Sequence, residues 1–221
     1  LEEPWLVIDL LTRGEVPGLP DRALQVCDPA RPTTLVPMPE PRFRFEFMLL
    51  PGEDPATIQR PERVRELLAA WVDPDLVEIE RAAVYTFHGL IARKWRSGRV
   101  LLAGDAAHQM PPFLGQGMCA GIRDAANLAW KFAEVVHRGA PDSLLDTYQA
   151  EREPHVRAIV EAAVGFGRLI CTTDPEIAAA RDAQLLADPR PPGETPAVVP
   201  PLGDGPGFAS GGGGASPQPL V

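Results

Sequence analysis

The sequence predicts a chain of mixed α+β and α/β class, in which a mostly antiparallel sheet comes first and a strand–loop–helix unit follows it. Residues 1–97 contain several strand-like runs, and one of them alternates apolar and charged side chains with the period of a β-strand. Residues 98–165 carry a short apolar run, a loop rich in Pro and Gly, and two helical patterns. Residues 166–221 add a further helical stretch before a tail rich in Pro and Gly. We therefore expect three segments with these boundaries.

The antiparallel sheet is predicted from the alternation of side chains along its strands. In RFRFEFMLL, Phe43, Phe45 and Phe47 alternate with charged residues, which is typical of a strand with one buried and one polar face. One helix interrupts the strands, because the apolar residues of RPERVRELLAAWV recur at helical spacing. The predicted strands are WLVIDLL, ALQVCD, TTLVPM, RFRFEFMLL and LVEIERAAVYTFHGLIARKW.

The strand–loop–helix unit begins at VLLAG, a continuous apolar run typical of a strand buried in a parallel sheet. Since one strand cannot form a sheet, its partner strands are expected to come from elsewhere. A long helix follows the Pro/Gly loop and ends at Gly139 and Pro141. Its predicted buried face consists of seven apolar residues, Ile122, Ala125, Ala126, Ala129, Phe132, Ala133 and Val136. Two further helices are expected, one that starts near Asp142 and one over roughly residues 175–187.

The composition excludes several classes of partner. The 221 residues carry a net charge of −9 and no long basic run, which disfavours nucleic acid and anionic membranes. No uncharged apolar stretch reaches the roughly 18 residues of a membrane span, and no signal peptide opens the chain. Cys27, Cys119 and Cys171 lie far apart and lack the spacing of a metal site, so reduced cysteines in a cytoplasmic protein are expected.

The stretch AGDAAHQMPPFLGQGMCAG contains residues that suit a ligand site. Asp105 stands where the apolar run ends, which is the edge at which open α/β sheets bind ligands. Its carboxylate accepts hydrogen bonds from hydroxyl groups, so a polyol or ribose chain suits it. Pro111 and Pro112 stiffen the loop that follows.

The second half of this stretch suits a flat ring system. Gly115 and Gly117 let the backbone come close to a planar ligand. The helix that begins near Gln116–Met118 points unpaired N–H groups and the positive end of its dipole at that ligand. A group that gains negative charge is stabilised there. A flavin has these features, because it joins a polyol chain to a flat ring that becomes anionic on reduction.

These residues also resemble a known family. The stretch, with DAANLAWKFAEVV and LLDTYQAEREPHV after it, resembles the second flavin-binding motif of the single-component aromatic-ring monooxygenases, which include para-hydroxybenzoate and phenol hydroxylases. Upstream, WLVIDLL, VCDPARPTT, FEFMLLPGEDP and ERAAVYTFHGLIARKWRSGR are most similar to the 3-(3-hydroxyphenyl)propionate hydroxylase branch. The resemblance implies a partial FAD-dependent hydroxylase fold. Residues 1–97 are then a substrate-binding sheet domain, and residues 98–165 are the C-terminal part of the FAD-binding domain.

The resemblance implies a role for each residue of the motif. Asp105 would hydrogen-bond the ribityl chain of FAD, and Pro112 would lie near the reactive edge of the isoalloxazine. Backbone N–H groups near the flavin pyrimidine ring would come from Gly115, Gln116, Gly117 and Met118. NADH or NADPH would reduce the flavin, O2 would add to give a C4a-hydroperoxide, and one oxygen would pass to a phenolic aromatic acid.

Two elements of this family are missing from the sequence. No Gly-x-Gly-x-x-Gly motif, which holds the ADP half of FAD, occurs near the start. No Asp-Gly motif of the type that serves both flavin and NAD(P)H is found, and the branch's further C-terminal domain is absent. We therefore expect a fragment that binds FAD weakly and does not turn over by itself. A homo-oligomer is left open.

Other candidate residues have both a functional and a structural interpretation. His88 is the candidate catalytic base, because a phenol is activated by losing its proton. Arg42 and Arg44 fit either a substrate carboxylate or a solvated strand face. Asp105 and His108 lack a third ligand nearby, so no metal is expected, and His108 is predicted to be a structural hydrogen-bonding residue.

Two functions of other classes stay open from the sequence. A shortened relative could keep the sheet and one flavin motif as a non-catalytic binding or interaction module. A flavin reductase or epoxidase of the same fold is the other alternative, because fold does not fix chemistry.

Overall fold

The computed structural model describes residues 2–187, and the predicted Pro/Gly-rich tail lies outside the described residues. The chain divides into two compact units. The first unit consists of Glu2–Phe87 together with residues 168–187, and the second is His88–Gly167. The assignment of a substrate domain and an FAD-domain part to residues 1–97 and 98–165 stays a prediction.

The first unit is built on a five-stranded sheet. Its strands are β1 (Glu2–Thr12), β2 (Leu24–Val26), β3 (Thr33–Pro37), β4 (Arg42–Met48) and β5 (Val77–His88), whose last residue belongs to the second unit. The strands stand in the order β2-β3-β4-β1-β5. The β1/β4, β2/β3 and β3/β4 pairs are antiparallel, which confirms the predicted sheet.

The alternation along β4 has the predicted consequence. Phe43, Phe45 and Phe47 are buried, whereas Arg42 is exposed. The rings of Phe45 and Phe47 stack with their centroids 5.8 Å apart. Ile8 on β1 is the register partner of Phe45, so the apolar side chains of the two central strands form one continuous core layer.

Helix α2 (Pro61–Ala69) contributes to the same core. Pro61 suits its first position, since the N–H that proline lacks would have no partner within the helix. Val64 and Leu68, one turn apart, are buried in the same cluster as the phenylalanines, as their spacing predicts. The unit has two further helices, α1 (Pro55–Ile58) and α5 (Pro175–Leu186).

The first unit also holds a buried carboxylate. Asp9 on β1 accepts hydrogen bonds from Arg44 Nε at 2.7 Å and Arg81 Nε at 2.9 Å. Burial raises the pKa of Asp9, but the two guanidinium groups outweigh burial and hold that pKa below the ordinary aspartate value. Arg42 pairs with Glu80 at 2.8 Å, nearer to solvent. Both arginines that the sequence offered for a substrate carboxylate therefore have carboxylate partners in the sheet.

The second unit differs from the prediction at VLLAG. Only Val100 and Leu101 form a strand, and that strand is the second arm of a hairpin rather than part of a parallel sheet. Gly98, with φ +59°, opens the two-residue loop that folds the chain back, and Val100 is 65% exposed. The four short strands pair antiparallel as β6 (Leu90–Ile91) with β9 (His108–Gln109) and β7 (Arg96–Ser97) with β8 (Val100–Leu101).

Two long helices make up the rest of the second unit, α3 (Gly117–Arg138) and α4 (Thr147–Ile170), whose last residues belong to the first unit. α3 ends at Gly139, as predicted, where φ is +71°. Within residues 2–187, no helix combines the length and the apolar composition that crossing a membrane requires.

Helix α3 buries the face opposite to the predicted one. All seven residues of the predicted buried face are exposed, namely Ile122, Ala125, Ala126, Ala129, Phe132, Ala133 and Val136. The buried residues are Ala120, Asp124, Leu128 and Lys131. The physical reason lies on α4, because Arg152 pairs with Asp124 at 2.9 Å and Glu151 pairs with Lys131 at 2.7 Å. Charged residues can face the interior here because oppositely charged partners meet them.

Replacing Asp9 by alanine is expected to destabilise the first unit, because Arg44 and Arg81 lose their shared acceptor. The two guanidinium groups are 29% and 44% exposed, so we discount the cost of a fully buried pair and expect the free energy of unfolding to fall by about 2 kcal/mol. Urea denaturation measures this change. Glu80→Ala is the control, since water can replace that partner of Arg42. Equal losses in the two variants would contradict the interpretation.

Candidate cofactor site

The turn Gly104–Ala106 presents the carboxylate of Asp105. It is a single 3-10 turn in which the Ala107 N–H donates to the Gly104 carbonyl at 2.8 Å. Gly104 has φ +56°, a left-handed conformation that glycine adopts without strain. Asp105 is exposed and accepts no hydrogen bond from any of residues 2–187. Its carboxylate is therefore available to the hydroxyl groups of a ligand.

The same turn lies against α3. A Cβ atom added to Gly121 would stand 3.5 Å from the Cα atom of Gly104. Even a methyl group at Gly121 would therefore already be in van der Waals contact with Gly104, so the backbone of the turn passes close to the helix backbone one turn after α3 begins. This close approach places the turn that bears Asp105 beside the N-terminal part of α3.

The loop that leads into α3 ends in an open helix start. Pro112–Leu114 forms a 3-10 turn, and Gly115 closes it with φ +61°. Among the described residues no side chain caps the start of α3, so the positive end of its dipole is available to a ligand or solvent. Cβ atoms added to Gly115 or Gly117 would meet no atom within 4 Å, and Met118 is 76% exposed. The space beside this backbone can accept a flat ligand.

Gln116 contributes a buried polar atom without a partner. Its side-chain amide donates to the Leu114 carbonyl at 3.4 Å, while its carbonyl oxygen Oε1 bonds to none of the described residues. A buried acceptor without a donor costs roughly 1–3 kcal/mol, which an N–H group of a ligand would recover. FAD fits this set of groups, because its ribityl chain offers hydroxyls, its ring offers an N–H, and the ring gains charge on reduction.

A buried carboxylate lies behind the turn. Asp124 on α3 accepts hydrogen bonds from the Gly104 N–H at 3.0 Å, from His108 Nε2 at 2.6 Å and from Arg152 Nε at 2.9 Å. Since an ionised carboxylate only accepts, Nε2 of His108 carries the proton. Burial raises the pKa of Asp124, but its donors, His108 first, outweigh burial and hold that pKa below the ordinary aspartate value. The prediction that His108 is a structural hydrogen-bonding residue is confirmed.

Aromatic rings pack around His108, the imidazole partner of this carboxylate. Trp95 is completely buried, and its ring lies 5.4 Å from those of both His108 and Tyr148. The Tyr148 hydroxyl donates to the Leu102 carbonyl at 3.1 Å. Burial, together with the nearby Asp124 charge, raises the pKa of Tyr148, so it stays a neutral donor. The low polarity of these rings strengthens the hydrogen bonds that Asp124 accepts.

The second unit contains every predicted flavin-binding residue. They lie along the turn and the loop that lead into α3, and they are Asp105, Pro112, Gly115, Gln116, Gly117 and Met118. Their contacts with a flavin stay predictions. His88, the candidate base, ends β5, is half-buried and makes no hydrogen bond with residues 2–187. Its catalytic role also stays a prediction. Residues 2–187 contain no cluster of three side chains that could hold a metal ion.

Asp124 and Arg152 were not predicted from the sequence. The available signal was the spacing of Asp124 and Lys131, two charges seven residues apart on one helix face. Such a pair is typical of a solvated face, and only the opposite charges on α4 show that it is buried.

Acid is expected to remove the stabilisation that Asp124 provides. A carboxylate whose pKa is lower in the folded than in the unfolded chain stabilises the fold above the unfolded value of about 3.9. That contribution is lost as the pH falls through the folded pKa. Asp124→Asn should therefore unfold more easily than the wild type at about pH 6, and the difference should shrink below about pH 4. Urea denaturation across this pH range measures it, and a difference independent of pH would contradict the assignment.

Comparison with known proteins identifies the family. A family model described as FAD binding domain matches residues 16–163. A probable NADH-specific resorcinol 4-hydroxylase of Rhodococcus jostii (strain RHA1) is 52% identical over 186 residues, which are 84% of this chain and 34% of that protein. A 3-(3-hydroxy-phenyl)propionate/3-hydroxycinnamic acid hydroxylase of Mycolicibacterium smegmatis is 46% identical over 179 residues, which are 80% of this chain and 31% of that protein. The chain thus spans about a third of the length of these relatives.

Solved structures agree with the sequence relatives. A p-nitrophenol 4-monooxygenase from Pseudomonas putida DLL-E4 matches with a TM-score of 0.68 and 28% identity, over 82% of this chain and 48% of that one. An aklavinone-11 hydroxylase in a ternary complex with FAD and aklavinone matches with a TM-score of 0.70 and 28% identity, over 80% and 34%. The predicted fold class, a partial FAD-dependent hydroxylase fold, is confirmed. This chain belongs to the FAD-binding domain family and is similar to the flavin-dependent aromatic hydroxylases within it.

Proposed function

We propose that this chain is part of a flavoprotein monooxygenase that hydroxylates a phenolic ring, with NADH or NADPH as reductant and O2 as the source of oxygen. The observation that carries the proposal is the exposed carboxylate of Asp105, which lies on a turn packed against α3. Within residues 2–187, this carboxylate has no hydrogen-bond partner and no side chain caps the N-terminal end of α3. The names of the relatives support it, since one is a resorcinol hydroxylase and the other hydroxylates 3-hydroxyphenylpropionate.

The chain's own residues bind and orient the cofactor. When bound, FAD supplies the electron transfer and the activation of oxygen. Asp105 would accept hydrogen bonds from ribityl hydroxyls, and the buried Oε1 of Gln116 would accept one from a ring N–H. Gln116, Gly117 and Met118 would offer backbone N–H groups at the positive end of the α3 dipole, which would stabilise negative charge on the ring. The Gly115 N–H donates to the Pro112 carbonyl at 2.8 Å, so Gly115 would contribute the close approach of its backbone.

Two further residues are proposed to act near the substrate, namely Pro112 in the rigid loop and the half-buried His88. Pro112 has a fixed φ and stands next to the glycine-rich helix start, so it can hold the loop beside the reactive edge of the ring. The imidazole of His88 accepts the proton of the phenol, which raises the electron density of the ring that is to be hydroxylated.

Recognition of the substrate is proposed to rest on its phenolic ring. Arg42 and Arg44, which the sequence offered as partners for the carboxylate of an aromatic acid, are paired with Glu80 and Asp9. Resorcinol, the substrate in the name of one relative, has no carboxylate. The aromatic acid stays a prediction from the resemblance, and the proposed chemistry does not need it.

Asp105→Ala is expected to weaken FAD binding by about tenfold or more, because the variant removes charge-assisted hydrogen bonds to the ribityl hydroxyls. Titration of the chain with FAD, followed by flavin fluorescence, measures the dissociation constant. Glu161→Ala is the control, since Glu161 is an exposed carboxylate of the same unit on α4, outside the turn and loop. An unchanged dissociation constant for Asp105→Ala would contradict the proposed site.

The alternative function, a non-catalytic binding module, has its own test. It would be favoured if the whole protein bound FAD tightly but did not oxidise NADH or NADPH.

In the whole protein of which we propose this chain to be a part, His88→Ala is expected to lower coupled hydroxylation of a phenol by about a hundredfold while leaving FAD affinity unchanged, because a general base contributes to rate rather than to cofactor binding. Product formation per NAD(P)H oxidised, measured with resorcinol and with 3-(3-hydroxyphenyl)propionate, provides the test. His137→Ala is the matched control, since this histidine is exposed at the end of α3. Hydroxylation at the wild-type rate in His88→Ala would discard the role of His88.

A further inference from the structure

The buried carboxylate of Asp124 holds the chain on both sides of Asp105. A single atom, Asp124 Oδ2, accepts the Gly104 N–H at 3.0 Å and His108 Nε2 at 2.6 Å. Gly104 comes immediately before Asp105, and His108 follows three residues after it. The second oxygen, Oδ1, accepts Arg152 Nε at 2.9 Å and so ties the pair of contacts to α4.

Backbone bonds hold the C-terminal side of the turn. The Ala107 N–H donates to the Gly104 carbonyl at 2.8 Å, the Ala92 N–H donates to the Ala107 carbonyl at 2.8 Å, and His108 pairs with Ile91 in a two-stranded ladder. On the N-terminal side, the bond to Asp124 holds Gly104. Gly104 has no side chain, and its left-handed φ of +56° leaves it free to adopt other conformations once the bond to Asp124 is lost. The Asp105 side chain makes no hydrogen bond with residues 2–187, so the backbone of the turn sets the position from which this side chain extends.

The strength of the tie follows from burial. Asp124 is 0% exposed and His108 is 2% exposed, so water does not compete for these bonds. The bond from His108 is charge-assisted, which makes it short and directional. A turn that is fixed by a solvated side chain would not be held in this way.

We propose that Asp124 is a positioning residue for Asp105: it holds the Gly104–Ala106 turn against α3 and α4 and thereby sets the position from which the Asp105 carboxylate reaches FAD. The inference rests on the proposed flavin site. It assigns to Asp124, with His108 as its partner, a role in cofactor binding although neither side chain faces a ligand.

A second ion pair between the same helices supplies a matched control. Glu151 on α4 accepts hydrogen bonds from Lys131 Nζ and Asn127 Nδ2 on α3, each at 2.7 Å. Lys131 is 0% exposed, like Asp124. Glu151→Gln therefore weakens a buried α3–α4 contact to a similar degree, yet it does not touch the turn.

The first experiment compares Asp124→Asn with Glu151→Gln in the 221-residue chain by two readouts. Hydrogen exchange of the Ala107 amide, followed by NMR without FAD, reports the order of the turn, because Asp124 does not bond to that amide. Fluorescence titration gives the FAD dissociation constant. We expect Asp124→Asn to accelerate the exchange and to raise the dissociation constant, each by about tenfold. Glu151→Gln should lower the melting temperature by a similar amount but change both readouts by less than about twofold.

A second pair of variants covers the case in which Asp124→Asn fails to fold. His108→Leu removes one of the two ties and keeps Asp124, so it should show the same two changes in weaker form. His108→Gln retains an N–H donor for Asp124 and should restore both readouts towards the wild type.

The outcomes separate this inference from the proposed function. If Asp124→Asn and Glu151→Gln lose stability alike and give equal exchange rates and FAD affinities, the positioning role is overturned. Exchange at the wild-type rate in His108→Leu overturns it as well. If the wild-type chain does not bind FAD, the proposed flavin site fails, while the Ala107 exchange still decides whether Asp124 orders the turn.

Discussion

The second unit depends on one buried carboxylate. Asp124 on α3 receives hydrogen bonds from Gly104, from His108 and from Arg152 on α4, and it thus joins the stretch 104–108 to both helices. Removing a carboxylate from water is costly, and only a complete set of donors offsets the cost. Here a backbone amide, an imidazole and a guanidinium supply that set. The exposed Asp105 can remain unpartnered because its buried counterpart holds the backbone in place.

The two aspartates near the turn show how environment divides one residue type into two roles. Asp124 is 0% exposed, and its donors are Gly104, His108 and Arg152 of the same unit. Asp105, on the same turn that Asp124 holds, keeps its acceptor capacity for a ligand. A polyol, which offers hydroxyl donors and no charge, suits such a carboxylate better than an anion does. The open helix start and the unpaired Gln116 oxygen extend the same surface towards a flat, electron-accepting ring.

The sequence predicted those elements whose burial depends on their own pattern. The alternation of Phe43, Phe45 and Phe47 is sufficient to define β4, and Gly139 is sufficient to end α3.

The prediction was wrong where a partner from another part of the chain determines which residues are buried or how a strand pairs. The alanine-rich face of α3 was predicted to be buried because it is apolar, yet Arg152 and Glu151 draw the charged face inward. VLLAG was predicted to be a buried strand, but the glycine turn before it folds it into a hairpin. The motif residues around Asp105 were identified from chemistry and resemblance, whereas Asp124 could not be, since its role needs the pairing of distant segments.

The central claim is that a flavin binds with its sugar-alcohol chain at Asp105. A crystal structure of the chain soaked with FAD measures this most directly, through the distance from the Asp105 carboxylate to the nearest ribityl oxygen. We expect this distance to be about 2.7 Å, the usual length of a hydroxyl–carboxylate hydrogen bond, and we expect the edge of the flavin ring to lie at the start of α3. Flavin bound elsewhere, or bound with Asp105 turned to solvent beyond hydrogen-bond distance, would contradict it.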